Sequence, residues 1–293
     1  MMNTERVTID ERALVVDSAD ELRHIEASLD MIAQGAGLTR PDAAVVLGCG
    51  HGAEIPLDVL GRTFAHLDLV DVAGDAVAVL PARTKREGID GACEIHQADL
   101  TGLITRVDRV AGDIVARASE PFGCLDALGR ALTAASPTFW RSPAGRSYDF
   151  VVCSGVLTQV PAVVRERVQR VFLGRFGEFH RALGRYEPWR RAVWSFARRL
   201  EDLFVAHLAS MTTPGGVVYL SDVVHVCWLT ATTQGLVTEG RWIATRTERL
   251  ADYLGPRYRI VAERSWQWLR PEREGPYWGR LYGVQGLLSR VGD

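Results

Sequence analysis

The run AAVVLGCGHG, residues 43–52, restricts the fold more than any other part of the chain. Five consecutive apolar residues, Ala43 to Leu47, offer no polar face, so a strand built from them must be covered on both sides, as at the centre of a parallel sheet. Three glycines follow at alternate positions, Gly48, Gly50 and Gly52. Glycine accepts positive φ at little cost and carries no Cβ, so a strand ending this way can turn sharply and let a ligand touch its backbone. The expected unit is a buried strand over 43–47, a glycine-rich turn, and a helix over 52–61.

Strand-like and helix-like segments alternate from there. AHLDLVDV (65–72), ACEIHQ (92–97) and YDFVVCS (148–154) read as strands, with helices over 74–87 and 102–134 between them. A helical stretch over 161–211 precedes another apolar strand, GGVVYLSDV (215–223). Thr245 to Leu254 reads as a helix with Thr245 or Thr247 as N-cap, and two aromatic-rich runs, 258–269 and 277–288, flank the connection PEREGP. Such alternation makes a parallel sheet with right-handed crossovers, and a Pro/Gly-bounded link between two strand-like runs makes a hairpin. The expected fold class is therefore α/β: a Rossmann-like, doubly wound, mostly parallel sheet with a C-terminal antiparallel hairpin and a helical lid inserted at about 161–211. The main domain covers 41–293. Residues 1–40 precede it as a helical cap, in which Leu22, Ile25, Leu29 and Ile32 stand at helical spacing for burial.

Length fits one elaborated α/β domain, and a formal net charge of −2 gives no general pull toward nucleic acid, so a small-molecule partner is expected. The five cysteines contain no Cys-x-x-Cys pair; they are expected to be reduced, mostly buried thiols, and no metal site is expected. Charges throughout the first 30 residues leave no export signal, and the stretch Val223–Thr238 is too short and polar to span a bilayer. A cytoplasmic protein without a membrane partner is the expectation.

Asp71 closes the second strand about 20 residues after the glycines, where a carboxylate can accept hydrogen bonds from both ribose hydroxyls of an adenosine. Asp99 sits at the end of the third strand, in reach of an adenine amino group, and Ser154-Gly155 closes the fourth. Four strand ends thus face one crevice at the carboxyl edge, the ligand side of an open α/β sheet. With YDFVV (148–152) and Pro214-Gly215-Gly216 in the same order, the sequence from Ala43 onward resembles the class I S-adenosylmethionine-dependent methyltransferases. The resemblance implies S-adenosylmethionine as cofactor. It places the methionine moiety on the loop Gly48, Cys49, Gly50, His51 and Gly52, the ribose on Asp71, and the adenine at Asp99; Val72, Leu100 and Ser154 complete the cofactor-binding set. The family often carries an acid two residues before the first glycine; here that residue is Val46, which removes one indirect anchor for the cofactor's amino group.

Between Arg165 and Arg199 stand ten arginines against three glutamates, so a carboxylate- or phosphate-bearing substrate would be steered to the lid. The plainer reading is that these arginines are the solvated face of helices whose aromatics fill a core. Methyl transfer needs alignment, and a base where the nucleophile carries a proton. The candidate bases are His180 in the lid, Asp222 at the end of the fifth strand, and His225 just after it. Trp266, Trp268 and Trp278 on the terminal hairpin read as core or dimer-interface residues, compatible with a homodimer. The functional expectation is methyl transfer to a small-molecule acceptor, in the setting of secondary metabolism. Gly48-x-Gly50-x-x-Ala53 also fits a dinucleotide fingerprint, so an NAD-dependent oxidoreductase is the enzymatic alternative. A non-catalytic or rearrangement-catalysing protein on the methyltransferase fold is the other.

Overall fold

The computed structural model describes residues 19–232, 235–243, 247, 249–270 and 279–292. A helix α1 (Ala19–Ala36) leads into β1 (Ala43–Leu47), followed by α2 (Leu57–Thr63), β2 (His66–Asp71), α3 (Gly74–Glu87), β3 (Cys93–Gln97), α4 (Ile104–Arg117), α5 (Pro121–Ala134) and β4 (Tyr148–Ser154). Then come α6 (Gln159–Arg175), α7 (His180–Leu183), α8 (Glu187–Met211), β5 (Thr212–Thr232), β6 (Gly235–Ile243), β7 (Tyr258–Arg270) and β8 (Gly279–Val291). The sheet runs β3-β2-β1-β4-β5-β8-β7, with β6 also paired to β5. Strands β1 to β5 are parallel, while β8 is antiparallel to both β5 and β7. This is the doubly wound sheet with a terminal hairpin that the sequence implies, and its order reverses between β1 and β4, the place where such sheets open a crevice.

All five side chains of β1 are buried, as their apolar run requires. Val46, Phe150 and Tyr219 face a core closed by α1, α2 and α3, whereas Val45, Val151 and Val218 face one closed by the C-terminal half of α8. A third core belongs to helices alone: Leu103, Leu125, Phe172, Trp189 and Phe196 join α4, α5, α6 and α8. The helical layer over the crevice is therefore wider than the stretch 161–211, because α4 and α5 share its core.

Several local expectations change. The buried stripe of α1 is His24, Ala27, Ser28, Met31 and Ile32, and Leu22 points to solvent. The helix expected over 52–61 starts at Leu57, because the residue before Pro56 is kept out of helical geometry. Strand β5 continues past Val223 to Thr232, a β-branched and aromatic run that pairs with β8 on one side and β6 on the other. Of the helix expected over 245–254, residues 245, 246 and 248 lie outside the described ones. The helical part is a 3-10 turn, Leu250–Tyr253, preceded by extended Arg249 and pinned where the Leu250 N–H donates to Gln285 Oε1 at 2.7 Å. Trp278 and residues 1–18 also lie outside the described residues. No helix among those described is long and apolar enough to cross a membrane.

Candidate functional site

A cleft of about 1810 Å³ opens at the carboxyl ends of the parallel strands. Its floor is the loop after β1. Gly48, Gly50 and Gly52 take φ values of +70°, +50° and +76°, which side chains on L-residues resist. A Cβ at Gly48 would collide with Val156, while one at Gly50 would meet nothing within 4 Å. At Gly50, therefore, conformation demands glycine and the space beside the backbone stays open to the cleft. Arg83 of α3 braces the loop from behind, donating to the carbonyls of His51 (3.1 Å) and Ile55 (3.2 Å). Cys49 is buried, and burial together with the charge of Asp71 pushes its thiol up to about 12, so it remains a packed thiol.

Asp71 ends β2 and fastens this loop. Its Oδ2 accepts from the Gly50 N–H at 2.7 Å and its Oδ1 from the Ala73 N–H at 2.8 Å. Each oxygen keeps a lone pair for a further donor. Val72 beside it lines the cleft and is 43% exposed, an apolar surface at the point where the resemblance puts the nucleoside. Asp99 organises the next loop, accepting from Thr101 N–H and Oγ1 (both 2.9 Å) and from the Ile104 N–H at the start of α4 (2.7 Å), while Leu100 lines the cleft. An open backbone at Gly50, unspent acceptor capacity on Asp71 and an exposed apolar wall fit an adenosyl cofactor.

The three candidate bases separate. Asp222 borders the cleft at the end of the β4-paired part of β5 but is 2% exposed. It accepts from Thr158 N–H (2.8 Å), Thr158 Oγ1 (2.6 Å) and Val223 N–H (2.7 Å). Burial raises its carboxyl to about 6 against the pull of those hydrogen bonds. His180 lines a second, smaller hollow of about 500 Å³ with Arg181 and Arg185, and the cleft is not among its surroundings. His225 lies on β5 with its ring against Gly283 of β8, where a Cβ would collide.

Sequence reasoning missed a side-chain network at the rim of the loop. Glu54 Oε1 pairs with His24 Nε2 at 3.1 Å, and Ser154 Oγ donates to Glu54 Oε2 at 3.2 Å. Ser154 lies 3.0 Å from Ser221 Oγ. Trp266 Nε1 donates to His24 Nδ1 at 2.8 Å, and Trp268 stacks on the His24 ring at 4.3 Å between centroids. The available signal was a histidine on the buried stripe of α1, which has to find a partner.

The opposite wall is cationic: Arg165 of α6, Arg190, Arg191 and Arg198 of α8, and Arg270 and Arg280 of the hairpin line the cleft. Glu187 pairs with Arg190 (3.2 Å) and Arg191 (3.0 Å), and Arg198 lies over Trp194, which is 60% exposed. Away from the cleft, Asp68, Glu94 and His96 come together as three potential ligand groups. Arg146 donates to Glu94 at 3.0 Å and the Tyr148 hydroxyl donates to Asp68 at 2.5 Å, so the protein itself answers this charge.

No family model and no curated protein matches the chain. Similar solved structures include TehB from Haemophilus influenzae, at 11% identity and a TM-score of 0.43, with 89% of this chain matched. This chain spans 62% of TehB's length. An S-adenosylmethionine-dependent methyltransferase from Clostridium acetobutylicum ATCC 824 matches at 10% identity and 0.42 (97% of this chain, 95% of that one), and an rRNA methylase from Streptococcus thermophilus at 9% and 0.37 (92% and 98%). At these values no residue role passes from them to this chain. The class rests on the chain's own features: with β8 antiparallel between β5 and β7 and a glycine loop at the switch point, the protein has the class I methyltransferase fold. Among the described residues, every strand after β5 is antiparallel to its neighbours, so the second parallel half that a dinucleotide reading needs is not formed.

Proposed function

We propose that this protein transfers a methyl group from S-adenosylmethionine to a small-molecule acceptor that carries negative charge, in the cytoplasm. The observation that carries the reading is the convergence, in one cleft, of the glycine loop with Asp71, Val72, Asp99, Leu100 and Ser154. Bound there, the cofactor supplies a methyl carbon made electrophilic by a sulfonium. The chain's task is to hold and align. The backbone of Gly48–Gly52 would cradle the amino-acid end, Asp71 would take the ribose hydroxyls, and Val72 and Leu100 would flank the base.

An acceptor that is already anionic needs no base, and the candidate bases favour that case. His180 and His225 stand outside the cleft lining, and Asp222 spends both oxygens on Thr158 and Val223. Arginines across the cleft would stabilise the ionised acceptor, leaving alignment as the main source of rate.

The test is release of S-adenosylhomocysteine from the methyl donor in the presence of phenols, aryl carboxylates and phosphate esters, with neutral and cationic analogues alongside. Turnover confined to anionic acceptors is the expected result. Turnover of cationic or neutral analogues alone would discard the charge assignment, and an intact donor with every acceptor would discard the transferase reading.

A further inference from the structure

The cofactor's amino-acid end bears an ammonium group, and the strand position that often supplies an acid for it is Val46, packed in the apolar core under α2. We infer that Glu54, presented by the glycine loop and held by His24 and Ser154, is the seat of that ammonium. The inference rests on the methyl-donor reading above.

The carboxylates around the loop differ in what holds them. Asp71, Asp99 and Asp222 use their oxygens on backbone amides and the hydroxyls of Thr101 and Thr158, which makes them fasteners of loops. Glu54 touches side chains, its side chain is 35% exposed, and it borders the cleft beside the glycines. The late start of α2 at Leu57 is what leaves Glu54 in the loop, facing the cleft, where a helix starting at Gly52 would have taken it into its first turn.

Proton directions around Glu54 all agree. Trp266 donates to Nδ1 of His24, which fixes the ring as the tautomer with its proton on Nε2, and that proton points to Glu54 Oε1. Ser154 spends its single proton on Glu54 Oε2, so Ser221 must donate to Ser154. Burial pushes the Glu54 carboxyl up, but the hydrogen bonds from His24 and the Ser154 hydroxyl outweigh it and hold the group below the ordinary carboxylate range. The result is a fixed anion with one lone pair free on each oxygen, aimed at the crevice between β1 and β4. An N–H3 group supplies the donors it lacks. His24 is the positioning residue: stacked on Trp268, it ties the carboxylate to the α1–β7 contact.

Titration calorimetry on the full chain tests this with two ligands. S-adenosylhomocysteine has the ammonium without the sulfonium charge, and 5′-methylthioadenosine has the same nucleoside and sulfur without the amino-acid end. Glu54→Gln, which keeps the side-chain shape and one of the two acceptors and removes the charge, should weaken the first by roughly 10- to 100-fold and leave the second within about twofold. Asp71→Ala should weaken both. His24→Ala should lose the same preference for the amino-acid ligand, and adding it to Glu54→Gln should cost little more. Equal losses for both ligands, or none for either, in Glu54→Gln would show a purely structural hydrogen-bond network and overturn the assignment. If the unaltered chain binds neither ligand, the methyl-donor reading fails first, and this assignment with it.

Discussion

The floor and the arginine wall of the cleft are built on opposite principles. On the floor, Asp71 ends β2, Asp99 follows β3 and Asp222 lies where β5 leaves its pairing with β4, and their oxygens receive protons from backbone amides or threonine hydroxyls at 2.6–2.9 Å. On the wall, Arg190 and Arg191 have side chains 60% and 77% exposed, and their bonds go to one equally exposed glutamate, Glu187. Exposed pairs of this kind contribute about 0–1 kcal/mol and are screened by salt. The floor is set before any ligand arrives, whereas the wall takes its final shape from what it binds. That division would suit the proposed methyl transfer, with a constant cofactor on the preorganised floor and a variable acceptor at the adaptable wall.

Asp71→Ala strikes the floor hardest. It strands the Gly50 and Ala73 amides, and S-adenosylhomocysteine affinity is expected to fall by at least about 100-fold in calorimetry; a wall variant that costs more would reverse the comparison. Next comes Asp222→Asn, whose amide would face the Thr158 N–H, with an expected loss of roughly 1–3 kcal/mol in denaturant unfolding. The pH dependence sharpens this. The folded carboxyl sits near 6 against an ordinary 3.8, so its protonated form is favoured by folding. The stability it contributes is fully present below about pH 4 and is lost as pH rises through about 6. Asp222→Asn lacks that slope, and its deficit should be largest near pH 4 and smaller at pH 7; a deficit that grew with pH would show that burial does not raise this group.

The double reversal Arg190→Glu, Arg191→Glu should weaken an anionic acceptor by about tenfold at low salt, less at high salt, and leave S-adenosylhomocysteine affinity unchanged. Equal losses for both ligands would mean that floor and wall are one unit. The smallest expected effect is that of His180→Ala, which faces the second hollow and should alter turnover by less than about twofold.

Legibility in the sequence followed the same division. Strand β1 and helix α3 read correctly to the residue, because two-faced apolar runs and a helix closed by Gly88 in the left-handed region are local signals. The loop glycines and the acids at strand ends were visible for the same reason. Glu54 and His24 were not, because nothing near Glu54 in sequence marks its partners; they come from α1, β4 and β7 and meet only in the fold. The length of β5 was missed because its outer half is stabilised by pairing with β6 and β8, a tertiary cause. His180 stood out as a lone histidine in an arginine-rich segment, and its placement shows how little residue type says about which hollow a side chain faces.

The hydrogen bond from Trp266 to His24 joins residues 242 positions apart in the chain, and the ring it orients is the one that fixes Glu54 beside the glycine loop. During synthesis the loop, its strand and its carboxylates emerge before β7, which supplies the donor that sets the direction of His24. Without β7 docked, the rim of the cleft would be held by a histidine that has lost its orienting donor. If Glu54 seats the amino-acid end of the cofactor, tight binding of that end would report that β7 has docked against α1.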